Sequence, residues 1–161
     1  MSFRLRICSL LFVASLISCT SPVNETSSNQ NTTSEYEIVT KQEISLANFF
    51  LQEEEDYLVF CHSETCQQCK EIKGDVAEFA QDNIVKTYFL NVSISANKIR
   101  QVPIDNITVG IDNLDDLCYA GTPTLFEIKK GVTIANVPGK DKCLTYLNEL
   151  RKNQKSENTI A

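Results

Sequence analysis

Residues 57–69 read Tyr57-Leu58-Val59-Phe60-Cys61-His62-Ser63-Glu64-Thr65-Cys66-Gln67-Gln68-Cys69. The opening run, 57–61, is continuously apolar, which is typical of a strand buried on both faces of a sheet. The amphipathic segment that follows predicts a helix from Cys66 to about Asp82. The N–H groups and the dipole at a helix N-terminus stabilise a thiolate, so Cys66 and Cys69 are placed for thiol–disulfide exchange.

The first 18 residues have the features of an export signal. Two arginines precede a largely apolar segment at 7–17, which is too short to span a bilayer comfortably. The segment ends in Leu16-Ile17-Ser18-Cys19, which resembles the lipobox of bacterial lipoproteins. That resemblance implies cleavage before Cys19, lipidation of Cys19, and a cell-membrane location facing outside the cytoplasm. The alternative is an ordinary secretory signal with an incidental cysteine, which exports the protein without anchoring it.

Composition divides the rest of the chain into three parts. Residues 19–35 are rich in Ser, Thr, Asn, Gln and Glu and are predicted to be a flexible tether. Residues 36–155 are enough for one domain with a single core, and 156–161 are predicted to be a disordered tail. The whole chain has a formal net charge of −6 and no basic run, so nucleic-acid binding is not expected.

Hydrophobic periodicity predicts the element order βαβαβαββα for the domain. The predicted strands are 37–40, 57–61, 84–92, 124–128 and 132–137, and the predicted helices are 43–55, 66–82, 112–120 and 141–152. The helix over 43–55 is expected to turn Ile44, Ala47, Phe50 and Leu51 towards the core. Lys129-Lys130-Gly131 separates the last two strands and is a hairpin signal. Alternating strands and helices of this kind indicate an α/β fold.

This element order and two motifs resemble the thioredoxin superfamily. The motifs are Cys66-Gln67-Gln68-Cys69 after the central strand and Gly121-Thr122-Pro123-Thr124 before the hairpin. The resemblance covers residues 36 to 153, and it implies a central mixed sheet with helices on both faces. It also implies that Pro123 follows a cis peptide bond, faces the dithiol and helps to bind an extended substrate chain together with Thr122.

The resemblance implies a two-step exchange of disulfides with protein substrates, without a cofactor. Cys66 is the exposed nucleophile, and the more buried Cys69 resolves the mixed disulfide. Thr122 and the uncharged residues between the cysteines look more like a reductase than a strong oxidase. The expected partners are exported proteins that carry disulfides or thiols, and a membrane redox partner. Among the family's branches, the chain looks like exported bacterial thioredoxin-like lipoproteins, including bacteriocin-transport accessory proteins.

Three residues, Phe60, Thr65 and Gly74, depart from the family pattern, and Gly74 stands where many members have a helix-kinking proline. Thr65 replaces the tryptophan that usually precedes the first cysteine, and Phe60 stands where thioredoxins have a buried acid. Without that acid, proton transfer during resolution must use water or another group. His62 is expected to be an exposed loop residue rather than a base.

The other cysteines of the domain leave two alternatives. Cys118 and Cys143 begin segments that are expected near the dithiol end of the sheet, so a disulfide between them is conceivable. The other alternative is that both are buried free thiols, which are common. Cys61, at a strand end, is expected to be a core residue.

Two further functions stay open beside thiol exchange. The spacing of Cys61, Cys66 and Cys69, with Cys118, matches a plant-type [2Fe–2S] ligand set, and a zinc site could use His62 with the first three. Neither metal is expected, because Cys66 and Cys69 begin a helix after a buried strand. The second function is a non-catalytic surface binding module that uses the same scaffold without turnover.

Overall fold

The fold is built around the apolar run at 57–61, which is the centre of a buried strand. The computed structural model describes residues 29–160, with side chains from 35 to 156. Its helices are α1 (Asn29–Lys41), α2 (Gln67–Asp82) and α3 (Lys140–Ile160). Its strands are β1 (Asp56–His62), β2 (Lys86–Asn91), β3 (Arg100–Gln101), β4 (Cys118–Tyr119), β5 (Thr124–Lys129) and β6 (Val132–Pro138). Short 3-10 turns occupy Leu46–Asn48, Ser95–Asn97 and Ile104–Asn106.

The main sheet is mixed, as expected. Its strand order is β2-β1-β5-β6, with β1 parallel to β2 and antiparallel to β5, and β5 antiparallel to β6. The predicted hairpin between β5 and β6 is confirmed. Lys130 (φ 50°) and Gly131 (φ 76°) both take the left-handed conformation that a tight hairpin turn requires. β3 and β4 form a separate two-stranded parallel sheet.

The two faces of the main sheet are covered differently. On one face, Leu58, Phe60, Phe89 and Leu125 pack against side chains of all three α-helices, namely Val39, Ile72, Val76, Ala77, Phe79, Ala80, Cys143 and Leu147. On the other face, Tyr57, Val59, Cys61, Leu90, Phe126 and Ile128 pack against Phe49, Ile99, Leu117 and Tyr119. The second set comes from loops, 3-10 turns and β4, so the α-helices of the described chain lie on one face and not on both.

The helix predicted over 43–55 is reduced to the turn Leu46–Asn48. Phe49 is fully buried after that turn, and Tyr57 Oη donates a hydrogen bond to the Phe49 carbonyl at 2.8 Å. Leu51, which the prediction placed in the core, is 74% exposed. The four acidic residues 53–56 would stand at the negative end of such a helix, so the dipole disfavours its last turn.

The strand predicted over 37–40 is part of helix α1. Val39 is buried against the core while Ile38 packs at its edge, so the apolar pair faces α2 within a helix. The chain pairs with β2 a few residues later, where Ile44 N donates to the Phe89 carbonyl at 2.9 Å. A run of two apolar residues is too short for periodicity to distinguish the two structures.

The helix predicted over 112–120 is also absent. Asn113 Oδ1 accepts the backbone N–H of Asp116 at 3.0 Å, a side-chain turn that competes with helix formation. The segment then enters β4, where Cys118 pairs with Arg100.

Two helices extend into the segments that were predicted to be a tether and a tail. α1 begins inside the segment predicted as a tether, and α3 continues to Ile160, into the segment predicted as a disordered tail. The predicted signal at 1–18 and the predicted lipid site at Cys19 lie outside the described residues. Between residues 29 and 160, no helix is both long enough and apolar enough to cross a membrane.

Candidate redox site

The dithiol lies at the N-terminus of α2, as the sequence predicts. Cys66 and Cys69 form a disulfide, with their Cα atoms 5.2 Å apart. Cys66 is the N-cap residue, and its Sγ accepts the backbone N–H of Cys69 at 3.1 Å. Cys66 is half-buried and Cys69 is buried. The helix end and the N–H contact both favour negative charge on Cys66 Sγ when the disulfide opens, so Cys66 is the sulfur best placed to leave as a thiolate or attack as one.

The loop Gly121–Pro123 faces the dithiol. The Thr122–Pro123 peptide bond is cis, which confirms the sequence prediction. Cys66 Sγ lies 3.4 Å from the carbonyl oxygen of Thr122. In the disulfide form Cys66 has no proton to donate, so this is a van der Waals contact. In the dithiol form the same geometry allows an S–H···O hydrogen bond.

Three hydrogen bonds hold this loop in place. Thr124 Oγ1 donates to the Gly121 carbonyl at 2.6 Å, and Gly139 N donates to the Pro123 carbonyl at 2.8 Å. The Ala120 carbonyl accepts from Gln101 Nε2 at 3.0 Å. The small sheet of β3 and β4 therefore fixes one side of the loop, and the hairpin fixes the other. Thr122 is half-buried and Pro123 is buried, so Thr122 is the more exposed of the two residues opposite Cys66.

His62 is buried close to the dithiol, and the prediction of an exposed loop residue is wrong. Its side chain is 5% exposed, and its ring stacks on Phe60 at a centroid distance of 6.0 Å. Burial, together with the charge of Lys73, lowers the pKa of His62 to about 4, so the imidazole is neutral at pH 7. A signal in the sequence could have shown this, because Leu58, Phe60 and His62 alternate along β1 and so share one face.

The other three cysteines of the domain are free thiols. Cys61, Cys118 and Cys143 are all buried, so the Cys118–Cys143 disulfide is not formed and the prediction of Cys61 as a core residue is confirmed. Cys143 Sγ donates to the Val137 carbonyl at 3.2 Å. Burial raises the pKa of Cys61, and burial raises the pKa of Cys143 to about 12, so both stay protonated at neutral pH.

The cysteines do not gather into a metal site within the described chain. Cys61 lies in the core on the loop-covered face, and Cys118 lies near Thr108 with its Sγ 3.7 Å from the threonine hydroxyl. From residue 29 to residue 160, no group of three or more Cys, His, Asp or Glu side chains converges in a way that could hold an ion. The fold therefore does not bring together the cysteines whose spacing matches a [2Fe–2S] ligand set, nor the three cysteines and His62 considered for zinc.

Comparison with solved structures identifies the fold. The chain is similar to mitochondrial thioredoxin 3 from Saccharomyces cerevisiae in its oxidized form, with 16% sequence identity and a TM-score of 0.50. The match covers 76% of this chain and 98% of that one. The chain has the thioredoxin fold. At this identity the likeness extends to the fold alone, and it confirms the predicted α/β class.

A second thioredoxin-fold structure gives a similar match. Thioredoxin f from spinach chloroplast, in its long form, is 19% identical with a TM-score of 0.46, over 74% of this chain and 93% of that one. No protein-family model matches the sequence, and no curated protein matches it. Within the thioredoxin fold, the Cys66–Cys69 pair and the cis-proline loop supply the local chemistry described above.

Proposed function

We propose that this protein is a thiol–disulfide oxidoreductase that exchanges disulfides with protein substrates through Cys66 and Cys69. One observation carries the proposal. A disulfide caps the N-terminus of α2, and its half-buried sulfur Cys66 Sγ lies 3.4 Å from the Thr122 carbonyl in the loop before Pro123. A closed structural disulfide with a three-residue separation would add little stability, since the loop that it closes is very short.

The exchange takes place in two steps that conserve electrons. In the reducing direction, the Cys66 thiolate attacks one sulfur of a substrate disulfide, a mixed disulfide forms, and the other substrate sulfur leaves as a thiolate. The Cys69 thiolate then attacks Cys66 Sγ, which closes the Cys66–Cys69 disulfide and releases the second substrate thiolate. The substrate gains two electrons and the protein loses two. The oxidising direction is the reverse of the same two steps.

Thr122 and Pro123 supply the substrate-binding surface in this proposal. The loop is held by hydrogen bonds from Gln101, Thr124 and Gly139, so it presents a fixed edge beside Cys66. An extended substrate chain that lies along this edge brings its sulfur to Cys66 without requiring a particular side chain. This arrangement favours protein substrates with accessible disulfides over one small-molecule substrate.

We also propose that the domain is lipid-anchored through Cys19 and faces outside the cytoplasm of a bacterium. The support is the sequence of residues 1–19, with its arginines, its short apolar segment and its lipobox. One lipidated residue attaches a protein to a membrane without spanning it. The partners would be exported proteins with disulfides or thiols and a membrane protein that supplies or removes electrons. In this arrangement the protein is an exported thioredoxin-like lipoprotein, and a role as a bacteriocin-transport accessory protein is one form of it.

The function is tested by reduction of insulin and by oxidative refolding of a reduced substrate protein. Wild-type protein should catalyse at least one of these reactions, and Cys66→Ala and Cys69→Ala should each abolish turnover. Cys118→Ala is the matched control, because it removes a buried thiol outside the pair and should leave the rate unchanged. Trapping with Cys69→Ala should isolate a mixed disulfide with the substrate. A wild-type protein that catalyses neither reaction would favour the non-catalytic binding module.

The location is tested separately by labelling cells with a radioactive fatty acid. Wild-type protein should carry the label and fractionate with the membrane, while Cys19→Ser should carry none. Unlabelled wild-type protein in the exported soluble fraction would contradict the anchor and support the ordinary secretory signal.

A further inference from the structure

A cavity of about 540 Å³, half open to solvent and lined by both polar and apolar side chains, lies beside the resolving cysteine. It lies between α1, α2 and the ends of β1 and β2, and both Cys69 and His62 line it. The titratable groups that face it from the surrounding elements are Glu35 and Tyr36 of α1, Glu43, Glu64, and Lys70 and Lys73 of α2. A cavity of this size has room for water, and its polar side chains can hydrogen-bond to it.

His62 is a buried titratable residue of this cavity. Its side chain is 5% exposed, and its Nε2 atom makes no hydrogen bond to any described residue. The ring contacts Phe60 and Phe89, and neither has a polar atom in its side chain. Buried polar atoms without partners are rare in folded proteins, so each one calls for an explanation.

Cys69 needs a proton acceptor if the exchange proposed above takes place. The side chain is 2% exposed, and a thiol must lose its proton before it can attack a disulfide. Phe60 fills the core nearby with a side chain that accepts no proton. A neutral imidazole that lines the same cavity is suited to the task.

We propose that His62 accepts the proton of the Cys69 thiol, through water in this cavity, during the step that resolves the mixed disulfide. The inference rests on the proposed function and names the group that serves its second step. Burial, with the charge of Lys73, lowers the pKa of His62 to about 4, so the imidazole is neutral at physiological pH and can accept a proton.

The step balances as follows in the reducing direction. The Cys69 S–H bond breaks and its proton moves to a nitrogen of His62. The Cys69 sulfur forms a bond to Cys66 Sγ while the bond from Cys66 Sγ to the substrate sulfur breaks. The substrate leaves as a thiolate, which takes the proton from the imidazolium directly or through solvent. No further oxidant or reductant takes part.

The other groups around the cavity are less suited to this role. Lys70 and Lys73 carry ammonium groups, which have three N–H donors and no acceptor. The Glu64 carboxylate is exposed and accepts a hydrogen bond from Asn91 Nδ2 at 3.2 Å, and Glu43 is exposed as well. Glu35 is half-buried on α1, where its Oε2 is 3.5 Å from the position that a Cβ on Gly74 would occupy, so it lies against the middle of α2. Among the described residues that line the cavity, His62 combines burial with a neutral acceptor.

The two steps can be followed separately with dithiobis(nitrobenzoate) as the probe. Reduced protein releases one nitrothiobenzoate when Cys66 attacks and a second when Cys69 resolves the mixed disulfide. The double variant Cys66→Ala, Cys69→Ala gives the background from all the other thiols of the chain. In wild-type protein, the second phase should be nearly independent of pH across roughly pH 5.5–7.5, because a neutral base is present throughout.

His62→Phe should slow the second phase by roughly 10²-fold near pH 6 and give it a rate that rises about tenfold per pH unit, because hydroxide then replaces the base. The first phase should stay within about twofold of wild type. Phenylalanine preserves the ring contacts, and His62→Gln provides a second variant without a titrating nitrogen. Glu64→Gln is the matched control and should keep the wild-type profile.

The possible outcomes distinguish a failure of the proposed dithiol exchange from a failure of the proposed role of His62. A wild-type protein that releases no second nitrothiobenzoate contradicts the proposed dithiol exchange itself. Two normal phases, with a wild-type second phase that already rises about tenfold per pH unit, overturn the role of His62 without any variant. The role of His62 would also be overturned if the second-phase rate rose about tenfold per pH unit in Glu64→Gln but not in His62→Phe.

Discussion

Cys66 Sγ lies 3.4 Å from the carbonyl oxygen of Thr122, so the sulfur that starts the exchange contacts the backbone that would hold the substrate. One residue earlier, Gly121 has φ of +138°, and a Cβ there would lie 3.3 Å from Gln101 Nε2. The position of the Thr122 carbonyl thus depends on Gly121 and on the Gln101 side-chain amide, which donates a hydrogen bond to the Ala120 carbonyl.

We expect Gly121→Ala to slow disulfide exchange several-fold and to lower the free energy of unfolding by about 1–3 kcal/mol. The new Cβ strains the backbone and pushes against Gln101, which displaces the carbonyl beside Cys66. Gly131→Ala is the matched control, because Gly131 also has a positive φ (76°) but lies in the hairpin turn with open space around it. Urea unfolding should show that both variants are destabilised, and insulin reduction should show that Gly121→Ala alone is slower. Equal exchange rates would contradict the role of the loop.

The three buried thiols should be inert in the folded protein. Cys61, Cys118 and Cys143 are buried, and burial raises the pKa of Cys61 and of Cys143, so few thiolates are available for alkylation. Mass spectrometry after brief treatment with iodoacetamide should find no label on the oxidised protein and label on Cys66 first after mild reduction. The three should be labelled together once urea unfolds the chain. Rapid labelling of Cys118 in the folded protein would contradict its burial.

The segment 43–55 can be tested by mutation because the sequence and the structure disagree about its core residue. Phe49 is fully buried and Leu51 is 74% exposed, whereas the predicted helix buries both Phe50 and Leu51. Phe49→Ala should lower the free energy of unfolding by about 3–5 kcal/mol. Leu51→Ala should change it by less than about 0.5 kcal/mol. Chemical denaturation of the two variants measures both values, and a large loss for Leu51→Ala would restore the predicted helix.

The parts of the fold that the sequence predicts well are those with a strong and long pattern. The apolar run of β1, the amphipathic repeat of α2 and the turn residues Lys130 and Gly131 each specify one local structure, and the structure contains all three. The dithiol at the start of α2 follows directly from them. The cis bond before Pro123 followed from the family resemblance, since nothing in the local sequence requires it.

The parts of the fold that the sequence does not predict depend on contacts between residues that are far apart along the chain. Ile38 and Val39 form a helix because they pack on α2, and an isolated apolar pair carries no period. Residues 112–120 lack a helix because Asn113 closes a side-chain turn and Cys118 pairs with Arg100. The burial of His62 differs from the prediction because a histidine beside a loop is expected to be solvated, whereas the period of β1 places it under the helices.

The free energy of unfolding should decrease as the pH falls, and part of that decrease should come from His62. The folded state lowers the pKa of His62 from 6.5 to about 4, first through burial and then through Lys73. The unfolded chain therefore binds a proton at a higher pH than the folded chain does. The stabilisation from keeping His62 neutral is fully present above pH 6.5 and is lost as the pH falls towards about 4.

The size of this loss follows from the difference between the two pKa values. Between pH 7 and about pH 4, the contribution of His62 to the free energy of unfolding falls by about 3 kcal/mol. His62→Phe has no titrating group at this position. Between pH 7 and about pH 4, its free energy of unfolding should therefore fall by about 3 kcal/mol less than that of wild type, because the carboxylates that also titrate there are the same in both proteins. Urea unfolding at a series of pH values measures the difference. Lys73→Gln should reduce the pH dependence only in part, since the charge of Lys73 is the smaller cause. Parallel curves for wild type and His62→Phe would mean that His62 titrates alike in the folded and unfolded chain, and would contradict its burial.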